Sequence, residues 1–122
     1  MGALELNERI VLVVEDEFLV ARPLCRLLTT MGATILGPAA TVEQALALLE
    51  TTDRIDFSVI DINLRGVPAF PIADALIARG LGFAFATGYG DALIPERYRS
   101  VTVLQKPFGA AALSNALLAT IA

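Results

Sequence analysis

The hydrophobic positions of this chain alternate between short continuous runs and spaced stripes. Ile10–Val14 is an unbroken, β-branched-rich run, too short for a helix, and predicts a strand buried on both faces. It ends abruptly in Glu15-Asp16-Glu17. Val20, Leu24, Leu27, Leu28 and Met31 then recur at helical spacing, and Gly32 supplies a stop. Pro23 lies inside this stripe and is expected to kink the helix or delay its regular part, because it has no N–H to donate. Thr34-Ile35-Leu36 predicts a second strand, punctuated by Gly37-Pro38. Thr41 and Gln44 have the spacing of a capping box, ahead of a helix whose apolar face is Val42, Ala45, Leu46 and Leu49.

Residues 56–60 predict a third strand, which delivers Asp61 into a polar loop, 63–70, containing Gly66 and Pro68. Pro71 suits the first turn of a helix that runs to about Arg79 and stops at Gly80. Phe83-Ala84-Phe85-Ala86 is a fourth strand, followed by Thr87-Gly88. The stretch 89–100 is the least regular, since Gly90 and Pro95 leave room for about one helical turn. Residues 101–104 form a fifth strand before Gln105-Lys106-Pro107-Phe108. A last helix, 109–121, points Leu113 and Leu117 inward. Strands alternating with helices at this spacing imply right-handed βαβ units. The expected architecture is a doubly wound α/β fold: a five-stranded parallel sheet with helices on both faces, one domain spanning 1–122.

Composition agrees and narrows the function. Of 122 residues, 56% are hydrophobic and only 18% charged, as expected when central strands are covered on both sides. A net charge of −4 argues against nucleic acid as a partner and is compatible with a divalent cation. No apolar run approaches the ~20 residues that span a bilayer, and the N-terminus lacks the pattern of a signal peptide. The single cysteine, Cys25, lies among apolar residues and reads as a small buried hydrophobe in a reducing compartment. With no histidine and one cysteine, structural zinc is excluded.

Parallel strands share a direction, so the C-terminal ends of strands one, three, four and five open on one edge. That edge receives Glu15-Asp16, Asp61, Thr87 and Lys106. Taken singly, each has a bland reading: acids at a helix N-terminus, a loop cap, a turn threonine, a solvated lysine. Their coincidence at one edge favours chemistry. Crowded carboxylates need a cation or a proton, and hard oxygen ligands suit Mg²⁺. A nucleophilic oxygen, a metal, a hydroxyl and an ammonium are what phosphoryl transfer requires. The chain has eight arginines and a single lysine, so the compact ammonium of Lys106 stands out.

Together, Glu15-Asp16, Asp61-Ile62-Asn63-Leu64, Thr87-Gly88 and Lys106-Pro107-Phe108 resemble a response-regulator receiver domain, over essentially the whole chain. Phe85-Ala86-Thr87-Gly88 further resembles an alphaproteobacterial subgroup. The resemblance implies a flavodoxin-like (βα)5 fold, strand order 2-1-3-4-5, with a degenerate fourth helix. It implies that Asp61 accepts a phosphoryl group from a sensor histidine kinase, a phosphotransfer protein or a small phosphodonor. Asp16 and Asp61 would bind Mg²⁺ directly, Glu15 through water and Asn63 through its backbone carbonyl. Thr87 and Lys106 would hold phosphoryl oxygens, and the Lys106-Pro107 peptide would be cis. Asn63 and Tyr89 occupy the positions that tune dephosphorylation. The implied protein is a cytoplasmic monomer or weak dimer, not a metabolic enzyme, that signals to a downstream protein.

Two departures stand out. Receivers commonly place an aromatic switch residue on strand five where this chain has Val103, and Gly90 and Pro95 break up the fourth helix. Signalling is therefore expected to work by ordering or shifting the segment 88–100 rather than by an aromatic flip. The competing reading is a receiver-fold interaction module that takes no phosphate, against which Asp16, Asp61, Thr87 and Lys106 argue. A nucleotide- or flavin-binding domain would need a glycine-rich loop where Glu15-Asp16-Glu17 would repel phosphate.

Overall fold

β1 (Ile10–Val14), β2 (Thr34–Ala39), β3 (Phe57–Asp61), β4 (Phe83–Thr87) and β5 (Thr102–Gln105) form one parallel sheet, ordered β2-β1-β3-β4-β5. The computed structural model describes residues 6–88 and 94–121. Side chains alternate along the three central strands, β1, β3 and β4, and are buried on both faces, whereas the edge strands β2 and β5 are partly exposed. Leu12, Val14, Ile60, Phe83 and Phe85 pack with α2 (Val42–Thr51) and α3 (Phe70–Ala78). Val11, Val13, Phe57, Val59, Ala84 and Ala86 pack with α1 (Phe18–Thr30) and α4 (Ala110–Ile121). Each fully buried Val, Ile, Leu or Phe contributes ~1.5–3 kcal/mol, so the strands and the helix faces packed on them form the main stabilising core. The architecture is the expected flavodoxin-like α/β fold, with the strand order reversing at the crevice between β1 and β3.

Local structure departs from expectation in instructive places. α1 starts at Phe18 and runs through Pro23 to Thr30, so the proline does not delay it. Its first turn is already fixed, because the N–H groups of Val20 and Ala21 both donate to the Glu17 carbonyl. β2 extends beyond Leu36 to Ala39 through a register shift, with Leu12 opposite Leu36 but Val14 opposite Ala39. Gly37 sits in that shift at φ 98°, where a side chain would lie 2.8 Å from the Val13 carbonyl oxygen. Pro38 is tolerated because β2 is an edge strand. The cap of α2 also has a twist. The Thr41 hydroxyl accepts from the Gln44 N–H, but the Gln44 side chain accepts from Ala40 N–H rather than from Thr41. Cys25 is only partly buried.

Asp56 lies just outside β3. Its carboxylate accepts the Ile10 N–H at 2.7 Å, with Arg54 at 3.2 Å and Arg9 at 3.6 Å. Burial pushes its pKa up, but the Ile10 N–H and the two arginines outweigh this and hold it below its ordinary value. This joins the starts of β1 and β3 at the sheet edge opposite Glu15, Asp61 and Lys106. The irregular stretch holds one 3₁₀ turn, Glu96–Tyr98, and residues 89–93 lie outside the described set. Among the described residues, no helix is long and apolar enough to cross a membrane.

Candidate functional site

Four strand ends set the site. Glu15 follows β1 and is fixed in place by its N–H, which donates to Ala39 at the end of β2. Asp61 is the last residue of β3, opposite Ala86 of β4. Thr87 ends β4, opposite Gln105, and its carbonyl accepts the Lys106 N–H at 2.8 Å. The parallel register therefore carries Asp61, Thr87 and Lys106 to one edge, beside the crevice where strand order reverses. The Lys106-Pro107 peptide is cis.

The side chains converge. Lys106 Nζ donates to Glu15 Oε1 at 2.6 Å and to Asp61 Oδ2 at 3.1 Å, joining residues 91 and 45 positions away in sequence. Oxygens of Glu15, Asp16 and Asp61 all lie within 4.8 Å of one another. Glu15, Asp61 and Thr87 are buried. Asp16, Asp61, Asn63, Thr87 and Lys106 line an open cleft of about 360 Å³, together with Glu17, Arg65 and Gly88.

The electrostatics follow from crowding. Glu15 is pushed up to about 7 overall: burial raises it most, the Lys106 bond pulls it down, and the neighbouring Asp61 raises it again. For Lys106, burial works against the charge. Its bonds to Glu15 and Asp61 and their charges outweigh that and hold the ammonium above its ordinary range. Three carboxylates thus share too few positive charges, and one responds by keeping its proton to near neutral pH. A clustered, oxygen-only, electron-rich donor set of this kind fits a hard divalent cation such as Mg²⁺.

Asn63 contributes through its backbone as well as its position. Its N–H donates to Asp61 Oδ1 at 3.1 Å, while its side-chain oxygen accepts the Gly66 N–H at 2.6 Å. The side chain thus braces a small hairpin, Asn63–Leu64 against Val67–Pro68, where sequence alone predicts a loop. At its tip stands Arg65, whose Nε is 3.6 Å from Asp16 Oδ2, a cleft residue the sequence reading missed. The available signal is Gly66 between Leu64 and Val67, since glycine readily takes the positive φ that the second position of a two-residue hairpin turn needs. Tyr89, expected to flank the site, lies outside the described residues.

A second missed feature is Tyr98. Its ring is buried, stacked on Phe70 at 5.2 Å and edge-on to Phe85 at 5.5 Å. Its hydroxyl donates to the Asp74 carboxylate on α3, and the Arg97 guanidinium lies 4.5 Å above its ring. A lone tyrosine in a polar, proline-broken stretch carries no periodicity that would mark it as core.

Neither a protein-family model nor a curated protein matches the chain. Solved structures do. SdrG from Sphingomonas melonis Fr1 is 42% identical over 98% of both chains, with a TM-score of 0.80. The BeF3-activated conformation of SdrG from Pseudomonas melonis Fr1 is also 42% identical over 98% of both chains, with a TM-score of 0.77. The REC domain of the Erythrobacter litoralis response regulator PhyR is 25% identical over 95% of both chains, with a TM-score of 0.79. With its sheet order, its converging Asp61, Glu15, Asp16 and Lys106, and these similarities, the chain belongs to the response-regulator receiver family, in the alphaproteobacterial subgroup.

Proposed function

We propose that this receiver takes a phosphoryl group on Asp61, from the phosphohistidine of a sensor kinase or phosphotransfer protein, and signals to a downstream protein. The observation that carries this reading is Lys106 Nζ held against both Asp61 and Glu15, with Asp16 in the same cluster. An Asp61 oxygen attacks phosphorus in line. The new P–O bond forms as the P–N bond breaks, and the imidazole nitrogen leaves with the electron pair. Lys106, 3.1 Å from Asp61, pairs with a phosphoryl oxygen as that charge arrives, and the Thr87 hydroxyl at the end of β4 donates to another. Asp16, Asp61, the Asn63 backbone and, through water, Glu15 would hold Mg²⁺. When bound, the cation neutralises charge between nucleophile and phosphoryl oxygens.

The donor's route is supported by α1. Phe18 and Leu19 are 68% and 84% exposed. Leu19 and Pro23 border an apolar groove completed by Pro107, Phe108 and Lys106, so the groove is continuous with the phosphorylation site. The protein bearing phosphohistidine would dock there. Leu19→Glu should slow transfer from the cognate kinase at least ~10-fold, a loss of one well-packed apolar contact or more, while labelling by acetyl phosphate stays at the wild-type rate.

For output, Val103 is partly buried against the α2–α3 core and offers no ring to rotate. Tyr98 anchors the far end of the segment 88–100 to α3, so phosphoryl contact at Thr87 would act on the chain between these two points.

The reading is tested by incubating the protein with radiolabelled acetyl phosphate. Incorporation should require Mg²⁺ and vanish in Asp61→Asn. Absence of incorporation in the folded wild-type chain with Mg²⁺ would favour the interaction module that takes no phosphate.

A further inference from the structure

Arg65 occupies an unusual backbone position for its type. In the hairpin Asn63 faces Pro68 and Leu64 faces Val67, leaving Arg65 and Gly66 as the two-residue tip. Both have left-handed backbones, φ 54° and 86°. That is the mirror-image turn in which Asn-Gly is the preferred pair, and a long side chain at the first position is disfavoured. A non-glycine residue held in that conformation beside a functional cleft is an outlier from which function is reasonably inferred. The side chain extends over the cleft, 80% exposed, and brings Nε to 3.6 Å from Asp16, whose own side chain is only 8% exposed. Lys106 is committed to Glu15 and Asp61, so Arg65 is the cation that faces the third carboxylate.

We propose that Arg65 is a tethered counter-ion of Asp16 that competes with the divalent cation and so sets the receiver's metal affinity. This rests on the proposed Mg²⁺ role of Asp16. The guanidinium satisfies Asp16 when no metal is bound, and must withdraw when Mg²⁺ takes that carboxylate. Its exposure makes the withdrawal cheap, because the side chain leaves no packing behind. Arg65 is thus a positioning residue: it tunes occupancy of the site without touching the nucleophile.

The test is a Mg²⁺ titration of the intact chain, read by calorimetry and by backbone amide shifts. Arg65→Asn removes the charge and suits the turn, so the fold is retained. It should bind Mg²⁺ tighter by roughly two- to five-fold, the contribution of an exposed ion pair. Arg65→Lys, which keeps the charge, should stay near wild type. Arg54→Gln makes the same change in net charge at the opposite sheet edge, beside Asp56, and should also stay near wild type. Unchanged or weaker binding by Arg65→Asn overturns the inference, as does equal tightening by Arg54→Gln. If wild type and all variants bind no Mg²⁺, both the inference and the metal reading of the site fall. Binding by wild type with no effect of Arg65→Asn removes the inference alone.

Discussion

Glu15 concentrates the electrostatic cost of this site. It is buried, bonded to Lys106 and close to Asp61, and burial is the main reason it stays protonated up to about pH 7. In the unfolded chain it would release its proton near its ordinary value of 4.5. The folded state therefore binds the extra proton between those limits. The stability linked to that proton is fully present below about pH 4.5 and is lost as pH rises towards 7. In chelator-treated protein, the difference in melting temperature between wild type and Glu15→Gln should change across this window and level off above it. Mg²⁺ should likewise stabilise the protein more at pH 8 than at pH 5, since the metal needs the charged carboxylate. Parallel melting curves for wild type and Glu15→Gln across the window would contradict this account of Glu15.

At the level of elements, the site depends on loops whose geometry is fixed by neighbours rather than by their own sequence. The hairpin 63–68 is braced by Asn63 and aims Arg65; the turn Glu96–Tyr98 is tied to α3 by Tyr98. The tie is large: four aromatic rings, Phe70, Phe83, Phe85 and Tyr98, make edge-on or stacked contacts beneath it. Tyr98→Ala should cost ~3–5 kcal/mol, the usual range for removing a buried aromatic ring. Tyr98→Phe keeps the ring and loses only the bonds to Asp74 and the Phe70 carbonyl, at 3.4 Å for the latter. It should destabilise far less. If the anchored segment is the output, Tyr98→Phe should also widen the exchange of its amides with phosphoryl mimic absent, and narrow the contrast between the two states. Equal amide exchange with and without beryllofluoride would remove the segment 88–100 from the signalling account.

Across the whole molecule, what was readable in sequence was what local pattern and strand direction determine together. Ile10–Val14 and the run ending at Asp61 announced buried strands, and parallel connectivity then forced Glu15, Asp61, Thr87 and Lys106 to one edge. What was not readable depends on contacts between distant segments. The expected delay of the helix at Pro23 does not occur, since the first turn is already closed on Glu17, which periodicity does not report. β2 looked three residues long because a register shift absorbs Gly37-Pro38. The roles of Arg65 and Tyr98 are not legible in sequence because their partners, Asp16 and Asp74, are named only by the fold.

Asp61, and no other carboxylate of the cluster, is expected to carry the phosphoryl group. Borohydride reduces an aspartyl phosphate to homoserine, which peptide mapping by mass spectrometry assigns to a single position. After treatment with acetyl phosphate and Mg²⁺, homoserine should appear at position 61 alone, and should be absent when Mg²⁺ is chelated. Homoserine at position 16, or no reduction product in protein shown to be folded, would contradict the account.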